Sequence, residues 1–386
     1  MNILVVGGHF YNKGAHLMMK AVVEELAKYP EHKLFLSPCA GTKEQIKNLG
    51  YNTIDYPFKH VTDYRGFEIF FRFGSILKYL RKQYRGEFPV DNIDAVIDIS
   101  GFAYSDQWGK EAVKNVNKLI NYFKKRNAKY IFLPQAFGPF SGKEIREQMK
   151  DVLKNSDLII ARDNNSYEML LSLQKNEKIK LYPDITITIK DLEKRNEIFS
   201  NYSCIVPNER MLDQGREYWP EGEYLEYVKK AINKLLKETD HNIIILIHDK
   251  GIGDTNLANQ LKSREYIDES RVKVHYEEDT MKLKFILGKA NLVIGSRFHA
   301  LVSALSQNVP SMALGWSHKY KMLFEEYSVE DFSFDKPNDQ MYSMCLENLL
   351  KEEPRKIMED KIRASNLVQQ RKNKQMWSEV IEVINS

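Results

Sequence analysis

Cysteine is scarce in this chain. Cys39, Cys204 and Cys345 are the three among 386 residues, and no CxxC pair occurs. An odd, scattered trio supports neither a disulfide framework nor a thiolate zinc site, and it fits a reducing compartment. Long apolar runs are missing as well: none approaches the roughly 18–20 residues that span a bilayer. The opening Met1-Asn2-Ile3-Leu4-Val5-Val6-Gly7-Gly8 has no basic stretch and a short apolar run, so it is expected to begin a fold as a strand rather than to act as a secretory leader. An excess of one charge is lacking too. Lys and Arg number 57 against 53 Asp and Glu, a net +4, which is too little to argue for nucleic acid. No fixed-period repeat and no low-complexity tract is present.

What is present is a globular balance, 43% hydrophobic and 28% charged, in a length that suits two domains. Short apolar runs alternate with helical patterns. In the first half Ile3–Val6, Lys33–Ser37, Ala95–Ile99, Tyr130–Leu133 and Leu158–Ala161 read as strands, with helices over Ala15–Tyr29, Lys110–Arg126 and Lys143–Asn155. In the second half Ser203–Val206, Asn242–Ile247, Val272–His275, Leu292–Ile294 and Pro310–Leu314 read as strands, with helices over Glu221–Thr239, Thr255–Arg264 and Thr280–Lys289. Runs without alternation are strands buried on both faces, as in parallel sheets. The order predicts α/β architecture with two doubly wound Rossmann-like domains facing a cleft. The charged segment Lys190–Asn201 reads as their linker, giving domains over 1–195 and 196–351 and a helical tail over 352–386.

Ligands of such sheets bind beyond the strand carboxyl ends, where loops and helix N-termini converge. The first of these loops is Gly7-Gly8-His9-Phe10-Tyr11-Asn12-Lys13-Gly14-Ala15. It is neither GxGxxG nor a phosphate loop; it reads as a plain turn or, with His9, Asn12 and Lys13, as a polar ligand-facing loop. Asp98 to Gly109 adds Tyr104, Asp106 and Trp108, an aromatic and carboxylate set suited to sugar; alternatively Ser105 or Asp106 caps the next helix. Gln135 sits in a Gly- and Pro-bearing turn, and Arg162 follows a buried strand where it must find an anion, either a carboxylate such as Asp163 or a ligand. In the second half Asn208, Glu209 and Arg210 follow one strand, and His248, Asp249, Lys250 and Asp254 follow another. The sharpest pattern is Gly295-Ser296-Arg297-Phe298-His299-Ala300. Arg and His in the first turn of a helix oppose its dipole, which makes sense when an anion is held there with Ser296.

These residues resemble the polysaccharide pyruvyl transferase family. The resemblance is carried by Asn12-Lys13-Gly14-Ala15, Ala161-Arg162-Asp163 with Ser166, Tyr182-Pro183-Asp184, the His248 and Asp254 pattern, the Ser296-Arg297-Phe298-His299-Ala300 segment, Asn308-Val309-Pro310 and Trp316-Ser317-His318-Lys319, over roughly residues 1–330. The chain departs from the family pattern at Gly101-Phe102-Ala103-Tyr104, where many members have a run of glycines, and at Ala15, where an acidic residue is frequent. The resemblance implies a GT-B-like fold and transfer of the pyruvyl group of phosphoenolpyruvate to two hydroxyls of a sugar, as a cyclic ketal, with release of phosphate. It implies that Arg297 and His299 meet phosphoenolpyruvate, with Arg162 and Lys319 as further candidates.

The expected site follows. His299 and Arg297 are catalytic, His299 as the acid that protonates C3, since imidazole titrates near neutrality. Arg162, Ser296, Arg297, His299, Lys319 and His248 bind the donor, whose site is expected mainly in the second domain. His9, Asn12, Tyr104, Asp106 and Gln135 bind the acceptor in the first. A base for the hydroxyls is Asp106, His9 or His248. No metal and no cofactor is expected; phosphoenolpyruvate is a co-substrate. The rival enzyme reading is a GT-B-type glycosyltransferase with a nucleotide-sugar donor, with Glu277, Glu278 or Asp279 on the ribose; a non-catalytic sugar-binding protein is a third. Residues 68–85 mix aromatics with Arg72, Lys78, Arg81, Lys82 and Arg85. They read either as a helix packed on the first domain or as a basic amphipathic helix on an anionic membrane surface. The expected location is cytoplasmic, on the inner face of the membrane if the acceptor is lipid-linked.

Overall fold

Unbroken apolar runs become parallel strands because side chains on both faces need cover, and helices of alternating pattern supply it. The computed structural model describes residues 1–37, 40–55, 59–63, 66–70, 88–189, 199–249 and 251–386. In chain order the first strands are β1 (Asn2–Val6), β2 (Lys33–Leu36), β3 (Asn52–Asp55), β4 (Lys59–Asp63), β5 (Gly66–Phe70), β6 (Phe88–Pro89), β7 (Ala95–Asp98), β8 (Lys129–Gln135), β9 (Leu158–Ala161) and β10 (Ile179–Leu181). Eight of them form one parallel sheet in the order β10-β9-β8-β7-β1-β2-β3-β6, while β4 and β5 pair antiparallel as a separate ribbon. The second sheet takes β11 (Tyr202–Val206), β12 (Asn242–Ile247), β13 (Val272–Tyr276), β14 (Val293–Gly295), β15 (Ser311–Leu314) and β16 (Ser333–Phe334), in the order β13-β12-β11-β14-β15-β16. Both sheets are doubly wound. In each, the order reverses beside the first strand, between β1 and β7 and between β11 and β14.

Helices connect the strands: α1 (Lys13–Leu26), α2 (Lys43–Asn48), α3 (Lys110–Lys124), α4 (Lys143–Asn155) and α5 (Asn164–Leu173) with the first sheet, and α6 (Glu223–Glu238), α7 (Ile252–Lys262), α8 (Thr280–Lys289), α9 (Phe298–Leu305), α10 (His318–Glu326) and α11 (Asp339–Leu350) with the second. The chain ends in α12 (Glu352–Asn385). Local chemistry sets several starts. Thr42 and Gln45 close a capping box on α2, and Asp163 and Asp279 accept backbone N–H groups at the starts of α5 and α8, each cap contributing about 1 kcal/mol. The cores are aliphatic and aromatic: β7 and β9 are buried along their whole length, and so is β11.

The chain divides into two units. One comprises Met1–Tyr11, Met18–Ile185 and Lys372–Ser386; the other comprises Asn12–Leu17 and Thr186–Arg371. The expected boundary at 195 lies among residues outside the described set, and the expected tail is one helix whose two ends belong to different units. Several short strands escape the apolar-run rule. β3 is largely polar (Asn-Thr-Ile-Asp), β10 is three residues with a central lysine (Ile-Lys-Leu), and β6 and β16 have two residues each; positions at or near a sheet edge tolerate all four. The predicted helix over 68–85 fails at its start, because Glu68–Phe70 end β5; residues 71–85 lie outside the described residues. Among the described residues no helix is long and apolar enough to cross a membrane.

Candidate active site

In the first unit the strand ends gather around a carboxylate. Asp98 closes the wholly buried β7 and is 1% exposed. It accepts the hydroxyls of Tyr104 at 2.7 Å and Tyr130 at 3.0 Å and the backbone N–H of Ser100 at 2.9 Å. The Gln135 amide donates to the Asp98 carbonyl at 3.2 Å. Burial pushes the Asp98 carboxyl up, and these hydrogen bonds hold it partly back. Gly7 makes the close approach possible. It follows β1 with φ +83°, and a Cβ there would lie 2.4 Å from Ser100 Oγ.

The expected acceptor residues are therefore spread over different tasks. Tyr104 and Gln135 are buried and bound to Asp98. Asp106 accepts the backbone N–H of Ser141 at 2.7 Å. The cap expected of Ser105 or Asp106 is not made on α3, whose N-cap is Gly109 without a side-chain bond. His9 is half-buried, its ring 6.3 Å from that of Tyr11. Arg162 finds its anion in Asp184 at 3.0 Å, both buried. Asp163, the partner considered from sequence, instead caps α5 and accepts the Ser166 hydroxyl at 2.9 Å.

In the second unit the strand ends gather basic groups. Arg297 is the N-cap residue of α9, one residue past the end of β14. Its guanidinium grips Asp254 of α7 through Nε at 2.8 Å and through Nη2, and Nη1 lies 3.6 Å from Asp249. Burial works against its charge, but Asp254 and then Asp249 outweigh burial and keep it firmly protonated. Asp254 also accepts the backbone N–H of Glu209 at 3.0 Å. Ser296 donates its hydroxyl to Tyr224, and its carbonyl accepts Asn208 at 2.9 Å and Tyr320 at 2.7 Å. Ser296 thus braces the turn at the switch point from inside.

The first turn of α1 belongs to this unit. Asn12 caps it, its Oδ1 accepting the N–H groups of Gly14 at 2.8 Å and Ala15 at 3.2 Å, and its backbone bridges to Asp249. Lys13, 4% exposed, donates to the Glu278 carbonyl and lies over the Tyr276 ring at 5.1 Å. Gly14 lets His299 pack here: a Cβ would stand 2.2 Å from His299 Nδ1. His248 follows β12, 2% exposed. Burial pushes its imidazole well below the usual range, and the fields of Arg297, His299 and Lys13 push the same way. Lys319 lies over Trp316 at 4.8 Å and Tyr320 at 5.3 Å. The acidic stretch expected as a ribose alternative is used locally, Asp279 as the cap of α8 and Glu277 as acceptor of the Asp279 N–H at 2.8 Å.

Arg297, His299 and His248 are thus brought together, with Lys13, Asp249 and Asp254 around them. Arg162 sits in the other unit, and Asn12, expected with the acceptor set, sits in this one. Sequence reasoning left Asp98, Asp249 and Gly14 without roles. The signal for Asp98 was a carboxylate ending an unbroken apolar run; for Asp249 it was adjacency to His248.

The model of a family described as polysaccharide pyruvyl transferase matches residues 12–318. Among solved structures the chain is similar to Anabaena HepE in complex with UDP and glucose, with TM-score 0.61 and 12% identity over 100% of this chain and 99% of that one. It is also similar to a putative UDP-N-acetylglucosamine 2-epimerase from Listeria monocytogenes, with TM-score 0.59 and 12% identity over 94% of this chain and 90% of that one. At such identity the likeness concerns the fold alone, which is GT-B-like. A shorter match, 38% identical over 87 residues, is to a component of the V-type ATP synthase of Clostridium botulinum; it takes in 22% of this chain and 43% of that protein's length. The family match, in contrast, runs from Asn12, the cap of α1, to His318, the first residue of α10. It takes in Arg297, His299 and His248 and most of both sheets, and the chain belongs to the polysaccharide pyruvyl transferase family, a family of transferases.

Proposed function

We propose that the chain moves the pyruvyl group of phosphoenolpyruvate onto two hydroxyls of a sugar, in a cell-surface polysaccharide or its lipid-linked precursor, and releases phosphate. The observation that carries this reading is the convergence of Arg297, His299 and Lys13 around the buried His248 at the strand ends of the second sheet. A donor with a carboxylate and a phosphate needs positive groups held rigidly, and Asp254 fixes the Arg297 fork by two hydrogen bonds. His299, at the first turn of α9, is the acid that adds a proton at C3 while a sugar hydroxyl attacks C2. The phosphate leaves, and the second hydroxyl closes the ketal. Asp98 and its tyrosines shape the strand ends of the first unit, where the acceptor is expected.

Thermal unfolding in the presence of phosphoenolpyruvate or a panel of nucleotide sugars tests the donor. A ligand at 100 times its Kd stabilises by about 2.7 kcal/mol. Phosphoenolpyruvate is expected to raise Tm of the wild type and not of Arg297→Ala. A shift with a nucleotide sugar alone would make the chain a glycosyltransferase and overturn the reading.

A further inference from the structure

His248 is the buried group of this site whose chemistry is not yet used. Among the described residues neither of its ring nitrogens has a hydrogen-bond partner, although the side chain is 2% exposed. Polar groups so deeply buried are normally paired, because leaving them unmet is costly. The charged and titratable groups facing it are Arg297 and His299 from the start of α9 and Lys13 from the start of α1. The carboxylates nearby, Asp249 at the end of β12 and Asp254 on α7, both turn to Arg297. His248 is therefore a neutral imidazole beside the charges of Arg297 and Lys13, with donor and acceptor capacity unspent.

Ketal formation moves two protons. One sugar hydroxyl loses its proton as its oxygen bonds C2, and a proton is added at C3. The other hydroxyl loses its proton as its oxygen bonds C2; the C2–O bond to phosphate breaks, its electron pair leaves on the phosphate oxygen, and the phosphate departs protonated. Donor and diol become ketal and hydrogen phosphate, with no net proton and no change of oxidation state. His299 serves the first exchange. We infer that His248 carries the second proton: a phosphate-bearing anion bound beside it draws a proton onto its ring, the departing phosphate oxygen takes that proton, and the closing hydroxyl restores it. The restored proton returns to solvent when phosphate leaves. This rests on the pyruvyl-transfer reading.

The sign is fixed by linkage. In the free protein burial keeps the ring neutral; an adjacent dianion favours the charged ring and raises its pKa. Affinity is then greatest at low pH, falls by up to tenfold per unit as pH rises between the free and bound pKa values, and levels off above the bound one. The donor phosphate ionises near pH 6 and adds an opposite trend, which a His248 variant shares, so the comparison isolates the ring.

Calorimetric titration of the full chain with phosphoenolpyruvate and with UDP, at pH 7 in buffers of different ionisation heat, counts the protons. Phosphoenolpyruvate should bind with uptake of about one proton in the wild type and far less in His248→Gln, whose affinity should also fall less steeply with pH. Should that variant fail to fold, nitrogen NMR of the wild type reads the same event. One of its nine imidazoles should turn from neutral to charged on adding phosphoenolpyruvate, and that ring should be the one missing from His248→Asn. Binding of phosphoenolpyruvate without uptake, or with uptake that His248→Gln retains, overturns the role of His248 and leaves the pyruvyl reading standing. Binding of UDP alone, or of neither, overturns both.

Discussion

The two sheets end differently. Each reverses its strand order beside its first strand, and each buries a titratable group among its strand ends. In the first, Asp98 is saturated by Tyr104, Tyr130 and Ser100. In the second, His248 is met by no hydrogen-bond donor or acceptor among the described residues. The two arginines are each held by carboxylates. Arg162 and Asp184 are a pair sealed in the first unit, whereas Arg297 shares its site with two carboxylates and acts on His248 through its field. One sequence signal, an ionisable residue just past a buried strand, thus has two outcomes. Where the fold saturates the group, it builds the scaffold; where the fold leaves capacity over, chemistry has room.

The comparison breaks first at Arg162. Replacing it by alanine takes the Arg162 counter-charge from the buried Asp184, which should cost up to about 3–5 kcal/mol in urea unfolding, while the folded fraction keeps its donor affinity. A variant of wild-type stability that no longer binds donor would move Arg162 into the site. Gly14→Ala is expected next. The added Cβ displaces the His299 ring, and turnover should fall about 100-fold, with little loss of stability because alanine favours the helix by roughly 0.5–1 kcal/mol. Full activity in that variant would release His299 from its role. Tyr130→Phe should have the smallest effect, about 1–2 kcal/mol at neutral pH. It removes a donor from the charged form of Asp98, so that carboxyl, already raised by burial, rises further. The cost should shrink as pH falls and Asp98 takes up its proton; a loss independent of pH would mean the hydroxyl packs rather than bonds.

The architecture was legible because its causes are local. Ala-Val-Ile-Asp and Leu-Ile-Ile-Ala can be little else than strands covered on both faces, and the helices between them keep their apolar stripes. Strands at or beside the sheet ends, β3, β6, β10 and β16, were not legible, since short or polar strands owe their form to a neighbour already in place. At the site, Gly-Ser-Arg-Phe-His revealed its strand-to-helix turn, and Arg297 and His299 stand there. The partners did not show. Asp254 lies 43 residues from Arg297 and Asp184 lies 22 from Arg162, and spacing along a chain carries no account of which loops a sheet brings level. Nor does it show that Gly14 is needed for the sake of the distant His299 ring.

The division of the chain has a consequence for its birth on the ribosome. The first unit includes Lys372–Ser386, tied in by the Tyr182 hydroxyl to Glu379 and by the Asn373 amide to the Asp184 carbonyl. Domains that emerge early usually fold early. Here an early stretch waits for one made after the second unit: nascent chains halted after Arg371 would hold all of the second unit and an unfinished first one, so the unit begun earlier completes its core later.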